Sequence, residues 1–246
     1  ELALHFSGGK KLNTIALEKI GFTEQLKQEA LQFEHLYAAR ISSQHKDLYK
    51  VISENGELQA KVSGKLIFNA FDTADYPAVG DWVMIDRTSD ENGVAIIHKL
   101  LTRKSMFERK AAGTANNRQI VAANIDVVFI CMSLNNDFNL RRLERYLAIA
   151  WDSLAIPVVV LTKADLCEQL EQRLAEVSSV AIGIDVIQTS FLTDEGISEL
   201  KGLIGEGKTA ACIGSSGVGK STLINRLIGH EVLQTSGIRD DDKGRH

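Results

Sequence analysis

The stretch GSSGVGKST, Gly214 to Thr222, constrains the fold more than anything else in the chain. A G-x-x-x-x-G-K-S run cradles phosphate when a buried strand leads into it and a helix leads out. Both conditions are met, because the apolar segment KTAACI (208–213) precedes it and STLINRLIG follows. Yet only 24 of the 246 residues come after Thr222. A domain with this loop near its start needs roughly a hundred further residues to complete its sheet and base pocket. Either the domain is cut short or its parts come in another order.

The loop chemistry assigns a nucleotide-binding set: Gly214, Ser215, Ser216, Gly217, Val218, Gly219, Lys220, Ser221 and Thr222. Backbone N–H groups of Ser216 to Ser221 converge on the α- and β-phosphates, aided by the positive end of the following helix. Lys220 bridges β- and γ-phosphate oxygens and so has a catalytic role, while the Ser221 hydroxyl takes one Mg²⁺ position.

The segment upstream supplies the missing strands. Apolar runs at 125–132, 156–161, 183–190 and 208–213 alternate with helical stretches at 139–153, 166–179 and 195–205. Continuous apolar strands alternating with helices predict a parallel sheet covered on both faces. The second run, VVVLTKADL, ends in Thr162-Lys163-Ala164-Asp165, which resembles the N/T-K-x-D signature of GTPases. A carboxylate at Asp165 accepts from the guanine ring N–H and exocyclic amine, donors that adenine lacks at those positions. The stem of Lys163 lies across the base, and Gln188-Thr189-Ser190 resembles the short loop that closes such a pocket. Asp165 lies 49 residues before Gly214, so the base-reading half precedes the phosphate-binding half. The order is that of a circularly permuted domain, which the spatial pairing of strands tolerates.

The first half reads differently. Residues 1–37 form a helical lead-in in which Phe22, Leu26, Ala30 and Phe33 share one face, with no partner evident. The missing initiator Met gives residues 1–11 little weight. Residues 38–112 hold five short segments, LYKVI, ELQAKVSG, KLIFNAF, DWVMID and VAIIHKLL, separated by Gly-, Asn- and Asp-rich turns. They predict an OB-like barrel, with an SH3-like barrel as the alternative. Lys99 to Arg118 contains six basic residues and one acid. Lys99, Arg103, Lys104, Arg109, Lys110 and Arg118 are candidate RNA contacts, against a solvated linker as the plainer reading.

Residues 113–246 then form the permuted nucleotide domain. No run of 18 apolar residues occurs and the start lacks the order of a secretory signal, so a cytoplasmic protein with no membrane partner is expected. Cys131, Cys167 and Cys212 fit neither a disulfide set nor a zinc pattern and read as buried thiols. Heptad and exposed-edge signals are weak, which leaves a monomer as the expectation.

Taken together, VSGKL, PAVGDWV, Gln119 with AANID, FNLRRLERYL, TKADL, GSSGVGKSTLINRL and DDKGRH resemble the circularly permuted GTPases of small ribosomal subunit biogenesis, the RsgA family, from about residue 38 onward. The resemblance implies an OB barrel, a permuted GTPase domain and a C-terminal zinc-binding domain. It implies that GTP is bound with Mg²⁺ and hydrolysed to GDP, stimulated by the ribosome, with the small subunit and its 16S rRNA as partner. It also implies that DDKGRH begins the first switch, so His246 is a catalytic candidate, and that the second switch and the zinc ligands lie outside this sequence. Two rival functions remain open: a P-loop kinase or ATPase, against which TKAD argues, and an RNA-binding assembly factor that holds nucleotide as a structural ligand.

Overall fold

The structure, a computed structural model, describes residues 2–4, 15–89, 91, 93–110, 118–135 and 137–233. A five-stranded sheet carries the second half of the chain. Its strands are β1 (Leu2–Leu4), β9 (Val127–Ser133), β10 (Ile156–Thr162), β11 (Asp185–Gln188) and β12 (Ala210–Ile213), in the order β1-β12-β9-β10-β11. The last four are parallel, and β1 runs antiparallel on the edge of β12. The alternating apolar runs thus form the parallel sheet expected of them. The last strand among the described residues, β12, is hydrogen-bonded to β9, the first of the parallel set, with Ala210 opposite Val127 and Ile213 opposite Ile130.

Successive β9 residues feed opposite cores, which is why the run is apolar throughout. Val128, Ile130 and Met132 pack with Leu143, Leu147 and Ala150 of α3 (Leu140–Asp152) and Val177 of α4 (Leu170–Val180). Val127, Phe129 and Cys131 pack on the other face with Leu200 of α5 (Ile197–Leu203) and with Leu223, Ile224 and Leu227 of α6 (Lys220–Ile228). Cys131 and Cys212 are buried in that core, and Cys167 is half-buried; all three are free thiols.

The first half is a closed barrel of β2 (Tyr37–His45), β3 (Leu48–Ser53), β4 (Gly56–Val62), β6 (Ala95–Leu100) and β5 (Trp82–Ile85), in that spatial order. One reading of the barrel needs correction. KLIFNAF is not a strand: Gly64–Asn69 is α2, a helix between the third and fourth barrel strands. Ser63 caps it, accepting from the Leu66 N–H at 3.2 Å, and of its apolar side chains only Leu66 packs into the barrel core while Ile67 and Phe68 stay exposed. The strand that this segment was expected to supply is instead Tyr37–His45, whose Ala39 and Ile41 are buried in the barrel.

The lead-in contains α1 (Glu24–Ala30), capped by Thr23. Its partner is the outside of the barrel: Ile20, Phe22, Leu26, Ala30 and Phe33 pack against Ile52, Trp82, Met84 and Leu101. Phe22 and Trp82 rings are tilted, with centroids 4.7 Å apart. A hairpin of β7 (Met106–Lys110) and β8 (Arg118–Ala123) follows the barrel and leads directly to β9. Gly80, at φ +91°, lies so close to it that a Cβ would collide with the Ala123 carbonyl.

Arg40 joins the barrel, the lead-in and the sheet. It is buried, and its guanidinium donates to the Gly80 carbonyl at 3.2 Å, to the Ile20 carbonyl and to Thr209 Oγ1 at 2.7 Å, at the foot of β12. Burial lowers its pKa to about 10, with Asp126 and Asp81 opposing that shift. Asp126 in turn accepts from the Thr209 N–H and from Lys104 and Lys208. Replacing Arg40 by Ala takes the donor from the Ile20 carbonyl and the Thr209 hydroxyl, each worth about 1–3 kcal/mol when buried and unpaired, while the Gly80 carbonyl keeps the Asn124 Nδ2 donor at 3.1 Å. Arg40→Ala is therefore expected to lower unfolding stability by about 2 kcal/mol or more in urea titration; a loss under about 1 kcal/mol would contradict the joint.

Candidate functional site

Four loops meet at the carboxyl edge of the parallel strands, where open α/β sheets bind ligands. Gly214 to Gly219 follows β12, Thr162 to Leu166 ends β10, Thr189 to Leu192 follows β11, and Leu134, Asn135 and Asp137 to Asn139 follow β9. The phosphate loop needs its first glycine. Gly214 has φ +151°, and a Cβ there would collide with the Cys131 carbonyl and press on Val218. Gly219 ends the loop in the left-handed region, and no side chain caps the start of α6. Gly219 offers no side-chain acceptor to the first turn of that nine-residue helix, whose N–H groups suit an anion.

Lys220 lies within this cradle. Its Nζ donates to the Gly214 carbonyl at 2.9 Å and to the Ser215 carbonyl at 2.6 Å. Those two carbonyl oxygens occupy the cation in the way phosphate oxygens would. Ser221 and Thr222 stand half-buried on the first turn of α6, and the Ser221 hydroxyl suits a hard cation that prefers oxygen ligands. Among the described residues no cluster of three His, Cys, Asp or Glu side chains is arranged around a metal. A magnesium ion held by one hydroxyl and phosphate oxygens needs none.

The base-reading loop is fixed by its backbone. Lys163 is left-handed at φ +60°, an uncommon conformation for a non-glycine residue, and it turns the chain so that Ala164 begins a short 3-10 turn. Thr189 holds that turn: the Ala164 N–H donates to its carbonyl at 3.2 Å, and its own N–H donates to the Leu161 carbonyl at 2.7 Å. Asp165 is exposed on the turn, whereas Ser190 is buried with its Oγ accepting from the Leu192 N–H at 3.3 Å. The buried Thr162 hydroxyl donates to the Val218 carbonyl at 2.6 Å and so ties the base-reading loop to the phosphate loop.

The comparisons with known proteins agree with this geometry. The sequence model of one family, described as RsgA GTPase, matches residues 100–246. The chain belongs to the RsgA GTPase family. It is 49% identical over 95% of its length to the small ribosomal subunit biogenesis GTPase RsgA 2 of Lactiplantibacillus plantarum, covering 66% of that protein. It is 42% identical over 85% of its length to RsgA 1 of Oceanobacillus iheyensis, covering 59%. The chain thus spans about three-fifths to two-thirds of the length of these relatives. Among solved structures, YjeQ from Thermotoga maritima superposes with a TM-score of 0.62 at 27% identity, over 78% of this chain and 65% of that one. YloQ, described as a circularly permuted GTPase, shares the fold with a TM-score of 0.57 at 19% identity, over 78% of this chain and 64% of that one.

The remaining candidates are scattered. Lys99 is exposed on β6. Lys104 pairs with Asp126 at 2.8 Å. Arg103, expected at an RNA surface, is instead turned inward: its fork grips Asp81 at 2.6 and 2.8 Å and donates to the Ala74 and Tyr76 carbonyls. The Arg109, Lys110 and Arg118 backbones lie in the β7–β8 hairpin, with their side chains outside the described residues, as is His246. Sequence reasoning missed Asp137. Its carboxylate receives hydrogen bonds from Arg142 Nη1, at 2.7 and 2.8 Å from its two oxygens, and from the Ser215 hydroxyl of the phosphate loop. Burial pushes the Asp137 carboxyl up, but the Arg142 and Ser215 hydrogen bonds with Arg142 and Lys163 charge outweigh it and hold the group below its ordinary value.

Thr162→Val keeps the side-chain shape and leaves the Val218 carbonyl unpaired. It is expected to cost about 1–3 kcal/mol in chemical denaturation. Unchanged stability would show that the tie between the two loops carries no energy.

Proposed function

We propose that the full-length protein binds GTP with Mg²⁺, hydrolyses it to GDP and phosphate, and acts in late maturation of the small ribosomal subunit, with the ribosome stimulating hydrolysis. The observation that carries this reading is the Thr162–Val218 hydrogen bond, which makes one site of a guanine-reading loop and a phosphate loop far apart in sequence. The names of the relatives supply the assembly on which such a site would act. A cytoplasmic monomer meeting 16S rRNA through the barrel, Lys99 and the hairpin completes the proposal.

The chain's own residues do the positioning. Asp165 reads the guanine edge, the Lys163 stem covers the base, and Ser190 lies where the pocket closes. The uncapped first turn of α6 and the Gly214–Gly219 backbone hold the phosphates, and Lys220 exchanges its two carbonyl partners for phosphate oxygens. Ser221 would be the protein ligand to Mg²⁺, which when bound neutralises charge on the β- and γ-phosphates. Because phosphoryl transfer is governed by positioning and electrostatics, a partner that orders the surrounding segments can set the rate.

Two substitutions test the pocket. Lys220→Ala is expected to weaken GTP binding about a hundredfold, since it removes charge-assisted bonds to phosphate. Equal affinity in calorimetric titration would overturn the phosphate assignment. Asp165→Asn is expected to shift preference from GTP toward xanthosine triphosphate, whose ring presents an acceptor where guanine presents a donor. Competition between the two nucleotides reads this directly, and an unaltered ranking would refute the guanine pocket.

A further inference from the structure

The residue that ties α3 to the phosphate loop has no part in the reading above. Asp137 sits in the turn between β9 and α3, built tightly on its own side of the site. Its N–H donates to Asn135 Oδ1 at 3.1 Å, and that same oxygen accepts from the Ser133 hydroxyl. Asn139 caps α3 by accepting from the Arg142 N–H at 3.0 Å, which fixes the start of the helix that carries Arg142. Arg142 in turn holds both Asp137 oxygens. The carboxylate is thus aimed at the phosphate loop by a braced scaffold, and it spends one oxygen on the Ser215 hydroxyl.

Ser215 is restrained from two sides. Its hydroxyl is held by Asp137 and its carbonyl by Lys220. A ligand's phosphates compete for Lys220, so Ser215 gives up the carbonyl restraint at the moment the loop must keep its shape. The hydroxyl restraint does not compete with the ligand.

We propose that Asp137 is a positioning residue for the phosphate loop: through the Ser215 hydroxyl, and braced by Arg142, it holds the first turn of the loop in its nucleotide-binding shape when Lys220 turns to phosphate. It acts through Ser215 and does not touch the nucleotide. Arg142 compensates its charge, so a carboxylate is tolerated beside an anion site. The gain is preorganisation, since a loop already held in place loses less freedom on binding. The inference rests on the guanine-nucleotide reading of the site.

The test is a double-mutant cycle on the full-length protein, read by the affinity of fluorescent GDP and by the urea midpoint of the nucleotide-free form. Ser215→Ala and Asp137→Ala are each expected to weaken GDP binding about tenfold, as loss of one charge-assisted hydrogen bond would. The double variant is expected to be no weaker than either single variant, and Asp137→Asn, whose amide oxygen still accepts from Ser215, to recover most of the loss. Urea midpoints of Ser215→Ala and Asp137→Asn are expected to match wild type, which separates loop positioning from general stability. Multiplicative losses in the double variant, or wild-type affinity in Asp137→Ala, would overturn the proposal. Failure of the wild-type protein to bind GDP would instead remove the guanine-nucleotide reading, and the inference with it.

Discussion

Everything at the site depends on one backbone pairing, that of β12 with β9. Parallel hydrogen bonds set Ala210 against Val127 and Ile213 against Ile130, so a strand late in the chain enters the sheet beside the first of its parallel members. That pairing delivers Gly214 to the carboxyl edge where β10 already presents Thr162 to Asp165. Permuting the order of strands changes loop connections and leaves the sheet neighbours, and hence the pocket, intact. The close approach of Gly214 to the Cys131 carbonyl and the Thr162–Val218 hydrogen bond are local consequences of the same register.

The opposite end of β12 is tied as firmly. Thr209, just before the strand, receives Arg40 from the barrel, and Asp126, just before β9, accepts the Thr209 N–H. The strand that carries the phosphate loop is therefore anchored at its foot by the barrel and at its head by the base-reading loop. Arg40 is costly to bury, and what offsets the cost is three acceptors from three segments far apart in sequence.

Much of this was legible in the sequence because its signals are local. GSSGVGKST between an apolar strand and a helix, and TKAD at the end of another strand, carry their geometry in short runs. The permutation follows from their order alone. What was not legible depends on contacts across the chain. KLIFNAF has strand-like composition, but the Ser63 cap starts a helix whose Ile67 and Phe68 face solvent. The basic character of Arg103 suggested a surface, whereas its pairing with Asp81 takes it inside. Asp137 belongs to no motif, and only the fold brings it to Ser215.

The measurement that tests the account most directly is GTP hydrolysis by the full-length protein with and without purified small ribosomal subunits, with ATP as the control nucleotide. Turnover confined to GTP and raised by the subunits is expected. Hydrolysis of ATP at a comparable rate would contradict the guanine-reading site, and GTP turnover indifferent to the subunits would contradict the assembly role.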